Sequence, residues 1–310
     1  MKFRAYLAAV LFSCIIGFSF LFVKLSLQEA DPLDVLAHRF TIALFFSLPF
    51  LLFRKMKWSF RPRDLLLLIL LSVLNPFFYF LTQALGLLYL PASEAGIIQA
   101  LLPIFTILMA SWFLKERQTG LQKLAVSVSV LGVMFIFMMN NVHFGLVKWP
   151  GIVLIMVSTL TYAGYNVLGR KAAQSFRMED MTCFMIFSGW ISFNLISAGN
   201  HIASGTVAGY FTPLANPVYL ISVSYLGILA SFTTFFLSNF ALKHMEAYRF
   251  GIFTNLTTII SIFAGTFFLH EQLFYYHYIG ALMVIIGVIG VNLLSPVERM
   301  AAGSADRRSS

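Results

Sequence analysis

The chain has 310 residues, of which 59% are hydrophobic and only 11% charged. An average soluble domain carries about 25% charged residues, so this chain lacks the polar surface of a water-soluble globule. The composition excludes a disordered chain, a coiled coil, a secreted disulfide scaffold and a soluble enzyme on one anchor. The formal charge is +9, from 21 Lys and Arg against 12 Asp and Glu. In a soluble protein that surplus would point to nucleic acid; here its position along the chain reports topology instead. Cys14 and Cys183 stand alone inside apolar runs, too few for a disulfide framework or a thiolate metal site.

Apolar runs of about 20 residues, enough to cross a hydrocarbon core ~30 Å thick, predict an all-α polytopic membrane protein with ten transmembrane helices. In chain order the spans cover 5–27, 32–53, 64–87, 93–114, 121–140, 150–169, 180–199, 217–242, 249–269 and 276–295. The first run is too long for the apolar region of a signal peptide, and no A-x-A site follows it. Residues 299–310 read as a flexible tail. Eighteen of the 21 basic residues fall before span 1, after span 10, or in or at the edge of every second connection, among them Arg54, Lys55, Lys115, Arg117, Lys123, Arg170, Lys243 and Arg249. The positive-inside rule then places both termini in the cytoplasm of a cell (plasma or inner) membrane protein.

Few ionisable groups lie deep in these spans. Lys24, near the end of span 1, can snorkel to water. Arg39 lies roughly 10 Å deep at 1.5 Å per residue, and a buried charge needs a partner. Asp34 and Glu94 are the nearest acids by depth, so a structural ion pair is expected ahead of contact with a substrate carboxylate. His38 beside it is expected to be hydrogen-bonded.

The uncharged polar residues fall on helix faces. In span 3, Asn75, Tyr79 and Gln83 recur every four residues, and Pro76 predicts a kink. Ser93 and Glu94 are expected to open span 4 as a capped first turn, with Gln99 one turn before Pro103. Span 6 carries Ser158, Tyr162, Tyr165 and Asn166 on one face; span 8 has Ser231, Thr234 and Ser238; span 9 has Thr254, Asn255 and Thr258. Such residues can be packing glue worth ~0.6 kcal/mol each, but the faces of spans 3 and 6 together favour a polar cavity. The substrate-binding candidates are Asn75, Tyr79, Gln83, Gln99, Tyr162, Tyr165, Asn166, Ser231, Thr234 and Asn255. Structural roles are expected for Arg39, Pro103 and the packing glycines Gly132 and Gly287, with Gly280 and Gly290. Glu116 and Glu271 are expected to satisfy free N–H groups at the starts of spans 5 and 10.

The chain also repeats itself. Ser111-Trp112-Phe113-Leu114-Lys115-Glu116-Arg117 aligns with Thr266-Phe267-Phe268-Leu269-His270-Glu271-Gln272, and the same offset pairs Gly96 with Gly251 and Gly132 with Gly287. Spans 1–5 therefore resemble spans 6–10, and an odd span number turns the second unit upside down. Loop charge agrees: the connection after span 4 is basic, while its counterpart at 270–277 has no Lys or Arg. Inverted repeats of this kind characterise secondary transporters, with the site near the midplane between repeats.

The Leu-Lys-Glu-Arg and Leu-His-Glu-Gln ends of spans 4 and 9 carry a further resemblance. So do Leu131-Gly132-Val133 and Ile286-Gly287-Val288, Pro103, Ala37-His38-Arg39-Phe40 and Asn239-Phe240-Ala241-Leu242-Lys243. Together they are similar to the EamA family of the drug/metabolite transporter superfamily, with repeats at 8–138 and 150–294. The resemblance implies a ten-helix carrier, in many members an exporter of amino acids and other metabolites. It also implies a central cavity built from the first, third and fourth helices of each repeat. The Trp-Gly usual in span 1 is Ile16-Gly17 here, so no aromatic is carried over to that position.

The expected function is a permease moving a small metabolite, an amino acid or similar, outward by alternating access, with nutrient uptake as the alternative direction. An intramembrane enzyme would need clustered metal ligands or a nucleophile–base pair at mid-depth, and neither pattern occurs. Without a P-loop, transport driven by ATP on this chain is not expected, and a receptor would not need an internal two-fold. No cofactor, metal or nucleic acid is implied. The expected partners are the lipid bilayer and a small-molecule substrate, the chain being a monomer or weak homodimer.

Overall fold

A computed structural model describes residues 2–53, 62–114, 120–144, 148–245, 250, 253 and 255–293. Among these residues the protein is helical throughout, without strands. The helices are α1 (Lys2–Ser26), α2 (Pro32–Phe53), α3 (Pro62–Ser72), α4 (Tyr79–Tyr89), α5 (Ala92–Gln99), α6 (Leu102–Leu114), α7 (Gly120–Phe144) and α8 (Trp149–Ser175). After them come α9 (Met178–Ser204), the short α10 (Val207–Phe211), α11 (Pro217–Ser224), α12 (Thr234–His244), α13 (Asn255–Phe268) and α14 (Tyr275–Leu293). Two wide π turns, Val73–Phe78 and Tyr225–Thr233, join α3 to α4 and α11 to α12.

Among the described residues, six stretches are long and apolar enough to cross a membrane: Phe3–Ser26, Leu65–Tyr89, Ala92–Met109, Trp149–Ser175, Met178–Ser204 and Pro217–His244. Shorter apolar helices accompany them. In hydrocarbon each backbone N–H and C=O must be satisfied within the chain, which is why such a sequence becomes helix rather than open sheet. The ends follow local chemistry. Asn216 caps α11, its side-chain oxygen accepting from the N–H of Val218 at 2.8 Å. Gly205, at φ 68°, closes α9 in the left-handed conformation that glycine adopts without steric cost. Large apolar side chains such as Phe45, Leu66 and Leu195 stay exposed on the outside of the bundle, where lipid rather than water suits them.

Inside, α1 packs on α12 and α13, α8 on α4 and α6, α2 on α9, and α7 on α14. The α7–α14 seam is the tightest. A Cβ on Gly132 would stand 2.8 Å from the Gly280 carbonyl oxygen, and one on Gly287 would strike Ser129 and the Ala125 carbonyl. Ser129 Oγ donates across the seam to the Val284 carbonyl at 3.1 Å. These small residues therefore hold two helices of one chain together. Glu116, Lys115, Arg117, Thr254, Arg249, Arg54, Lys55 and the tail 299–310 lie outside the described residues, as do the side chains of Lys123 and Asn255.

Candidate functional site

The polar centre starts where span 3 breaks. Asn75 has extended backbone angles (φ −149°, ψ 113°), and Pro76 follows with no N–H to offer the preceding turn. The helix resumes at Tyr79, which is 3% exposed. Its hydroxyl accepts from Gln83 Nε2 at 3.1 Å and from Gln99 Nε2 at 3.0 Å. Gln99 is the last residue of α5. Ala100 and Leu101 separate it from α6, and Pro103 sits in the first turn of α6, where a missing N–H breaks no helix bond. The Ser158 hydroxyl of α8 donates to the Tyr79 carbonyl at 2.9 Å, fixing α8 against the restart of span 3.

Aromatic rings carry the centre across the bundle. Tyr162 stacks on Tyr165 with centroids 5.7 Å apart, on Phe12 of α1 at 6.4 Å, and tilts over Tyr79 at 4.7 Å. Tyr165 donates to Asn239 Oδ1 at 2.9 Å, and Asn239 Nδ2 donates to Thr182 Oγ1 at 3.2 Å. Between these elements lies a cavity walled by Asn75, Tyr79 and Phe80, by Phe12 and Ile16, by Tyr162, and by Thr234, Phe235 and Ser238 of α12. Its volume is about 10 Å³, the room a single water needs. The centre is thus closed. Asn75 Oδ1, Gln99 Oε1 and both amide atoms of Asn166 are buried there or nearby without a hydrogen-bond partner among the described residues. Polar atoms left unpaired in an interior are costly, so this centre suits a polar occupant better than its closed form does.

The candidate residues do not all meet at one point. Asn75, Tyr79, Tyr162 and Thr234 line the cavity; Gln83 and Gln99 reach it through the Tyr79 hydroxyl. Tyr165 and Asn166 sit one layer back, fully buried. Ser231 is also fully buried, and its hydroxyl is engaged by Arg39. Thr258 of α13 donates to the Gly96 carbonyl at 2.9 Å, joining α13 to α5. The Asn255 side chain lies outside the described residues.

Arg39 corrects an expectation. Neither Asp34 nor Glu94 pairs with it. Its Nε donates to Ser231 Oγ and its Nη2 to the Ala230 carbonyl, both at 2.7 Å, while its guanidinium lies 4.0 Å from the centroid of Phe80. The acids are engaged elsewhere. Asp34 accepts from the Ser197 hydroxyl at 2.5 Å and meets His201 Nε2 at 3.0 Å. Glu94 pairs with Lys148 Nζ at 3.0 Å and His277 Nε2 at 3.4 Å. Depth along the membrane normal says nothing about lateral position, which is why the nearest acids by depth were the wrong ones. His38 is hydrogen-bonded, its Nδ1 lying 2.7 Å from the Tyr219 hydroxyl.

A second correction concerns Glu271. It does not serve the start of α14. Its carboxylate accepts from the Ala92 N–H at 2.7 Å, the Ser93 N–H at 3.0 Å and the Ser93 hydroxyl at 2.6 Å. An anion there meets the free N–H groups and the positive dipole end of α5. The first turn of α5 is therefore capped from a distant segment, and Ser93 does not cap its own helix. Lys148 and His277 add to the same end of the bundle, and Lys24 lies in Coulomb range of Glu94 and Glu271.

Sequence reasoning did not place Phe12, Ile16, Phe80 or Phe235 at the site, four of the nine residues of the cavity wall. Among 34 phenylalanines only their proximity to the polar faces could have marked them, and that proximity is tertiary.

A helical bundle whose long apolar helices can cross a membrane, with a closed polar centre, is the fold of a multi-pass membrane protein. The EamA-like transporter family model matches residues 3–138 and again 149–293. The chain is 45% identical over 289 residues to the uncharacterized transporter YcxC of Bacillus subtilis (strain 168), covering 93% of each. It is 22% identical to a "Probable amino-acid metabolite efflux pump" of Escherichia coli (strain K12), over 90% of this chain and 92% of that one. A solved crystal structure superposes with a TM-score of 0.65 at 17% identity, over 96% of this chain and 99% of the other. The chain belongs to the EamA-like transporter family. It is a membrane transporter and not an enzyme.

Proposed function

We propose that the chain is a ten-span carrier with both termini cytoplasmic, exporting a small metabolite, an amino acid or similar solute, across the plasma membrane by alternating access. Its two inverted five-helix repeats would span 8–138 and 150–294. The closed centre at the break of span 3 carries this reading: a single-water cavity bordered by Asn75, Tyr79 and Thr234, with buried amide atoms awaiting partners. A solute could enter only if the surrounding helices move apart, which is what alternating access supplies.

Several contacts support the inverted pair. The second and fifth spans of each half pack on their counterparts, α2 on α9 and α7 on α14. The first span of each half packs on the fourth of the other, α1 on α13 and α8 on α6. Breaks occur in the third span of both halves, at Val73–Phe78 and Tyr225–Thr233. In the N-in orientation the Glu94–Lys148–His277 group and the Glu271 cap lie on the outer side and hold that side shut. The glycine seam is filled within one chain, which favours a monomer. The efflux pump among the relatives supports an amino acid as cargo and export as direction.

The test is counterflow in proteoliposomes against amino acids, nucleosides and sugars, with sided substrate loading. Exchange of one class is expected; no exchange of any would sink the carrier reading. Topology has its own check: a reporter after Arg63 or Lys123 is expected to read cytoplasmic, and one after Asn200 external.

A further inference from the structure

Arg39 is the one cation buried beside the centre, and its hydrogen bonds among the described residues go only to neutral oxygens. A guanidinium keeps its proton at any working pH, and Arg39 is 1% exposed, so a full positive charge is buried in the bundle. Such charges are normally paired or face an aqueous cavity. Among the described residues no carboxylate pairs with it, and Asp34 and Glu94 are engaged elsewhere. Ser231 and the Ala230 carbonyl take hydrogen bonds from Nε and Nη2, while Nη1 makes none within the described residues. The Phe80 ring offers its negative face, a weak substitute for an anion.

The charge stands directly behind the wall of the central cavity. The Ala230 carbonyl that accepts from Arg39 Nη2 also accepts from the Thr234 hydroxyl at 3.0 Å, and Thr234 lines the cavity. Phe80, whose ring carries the guanidinium on its face, lines it too. On the other side Asn75 presents a buried side-chain oxygen that no donor among the described residues reaches.

We infer that Arg39 is the anion-recognising group of the transport site and that the solute carried bears a carboxylate. This rests on the carrier reading above and narrows it. A carboxylate supplies the acceptor oxygens that Nη1 lacks and the charge that the planar fork is shaped to receive. An α-amino acid fits best, because its ammonium would meet Asn75 Oδ1 while its carboxylate meets Arg39. Phe80 and Thr234 form the screen between the closed cavity and the cation, and opening of the centre brings cargo and guanidinium together.

The test uses the full chain in proteoliposomes. Counterflow is measured for the twenty amino acids, uridine and glucose, and each exchanged amino acid is then competed with its amide, which keeps the ammonium and side chain but has no anion. The amide is expected to compete at least roughly tenfold more weakly than the acid, the scale of one lost charge-assisted hydrogen bond. Arg39→Gln keeps donors for Ser231 and Ala230 but removes the charge, and is expected to abolish this discrimination. Arg39→Lys, which keeps the charge without the fork, is expected to restore part of it. A second readout needs no transport: the purified wild type is expected to melt higher with the acid than with the amide. If Arg39→Gln does not fold, the acid-against-amide comparisons on the wild type still decide. Equal competition by acid and amide, or unchanged discrimination in Arg39→Gln, would overturn the inference and leave the carrier reading intact. Exchange of uridine or glucose alone would do the same. A wild type that exchanges nothing would overturn the carrier reading, and this inference with it.

Discussion

The α7–α14 seam and the crossing of α4, α8 and α12 both join helices far apart in sequence, by opposite means. In the seam, Gly132 and Gly287 let two backbones meet, and Ser129 donates across to Val284. At the crossing, helices bend and polar atoms remain unpartnered around a one-water cavity. Where Gly132, Gly280 and Gly287 meet their neighbours the seam leaves little room to change. Adaptability in this molecule sits where packing is incomplete, and rigidity where backbones touch.

The largest expected effect breaks the seam. In Gly132→Val the new Cβ alone meets the Gly280 carbonyl and Met283 Cβ, both at 2.8 Å, and neither backbone can yield cheaply. Overpacking of this kind costs roughly 1–3 kcal/mol, read as a fall in thermal midpoint and in the yield of monodisperse protein. Equal stability would mean the seam is looser than its geometry.

The crossing should respond the other way. Asn75→Ala, Gln83→Ala and Tyr165→Ala are expected to impair transport more than expression, measured as exchange per unit of purified protein. Tyr79→Phe removes the acceptor shared by Gln83 and Gln99 and is expected to act in the same direction. Wild-type exchange in all four would make these residues glue and move the cavity elsewhere.

A smaller effect is expected at the end of the bundle. Glu271→Gln keeps one acceptor oxygen for the start of α5 but loses a second N–H bond, worth about 0.5–1.5 kcal/mol, and the charge, worth about 0.3–1 kcal/mol at a helix end. Neither it nor Glu116→Gln is expected to abolish exchange. Uphill accumulation under an imposed pH gradient that disappears in either variant would show that a coupling acid has been taken for a structural one. Smallest of all is Gly290→Ala, whose Cβ would approach Ala125 Cβ at 3.1 Å. A surface-scale change within about 0.5 kcal/mol is expected, and a shift as large as that of Gly132→Val would extend the rigid seam to this end.

Much of this contrast is legible in the chain before any folding. Pro76 after Asn75 announces the break in span 3, because proline withdraws an N–H wherever it stands. Asn75, Tyr79 and Gln83 announce a polar face, because helical periodicity is fixed. The engagement of Arg39 by Ser231 and Ala230, 192 and 191 residues away, leaves no local trace. Glu271 shows the limit most plainly. Its position beside a helix start suggested a cap, and it is one, but for α5, 178 residues back in the chain.

Composition and local pattern alone place the chain in a membrane, make it helical, mark the break at Pro76 and identify which residues are polar at depth; the second break, at Tyr225–Thr233, has no proline to announce it. Those properties depend on composition and on neighbours within a turn or two, and hydrocarbon enforces them on each segment separately. Only the tertiary structure decided which polar groups face each other: Tyr79 with Gln99, Tyr165 with Asn239, Glu94 with Lys148 and His277. Lateral arrangement among apolar helices is set by close packing of small and large side chains. Many pairings bury similar apolar area, and the choice among them is made by the whole bundle at once.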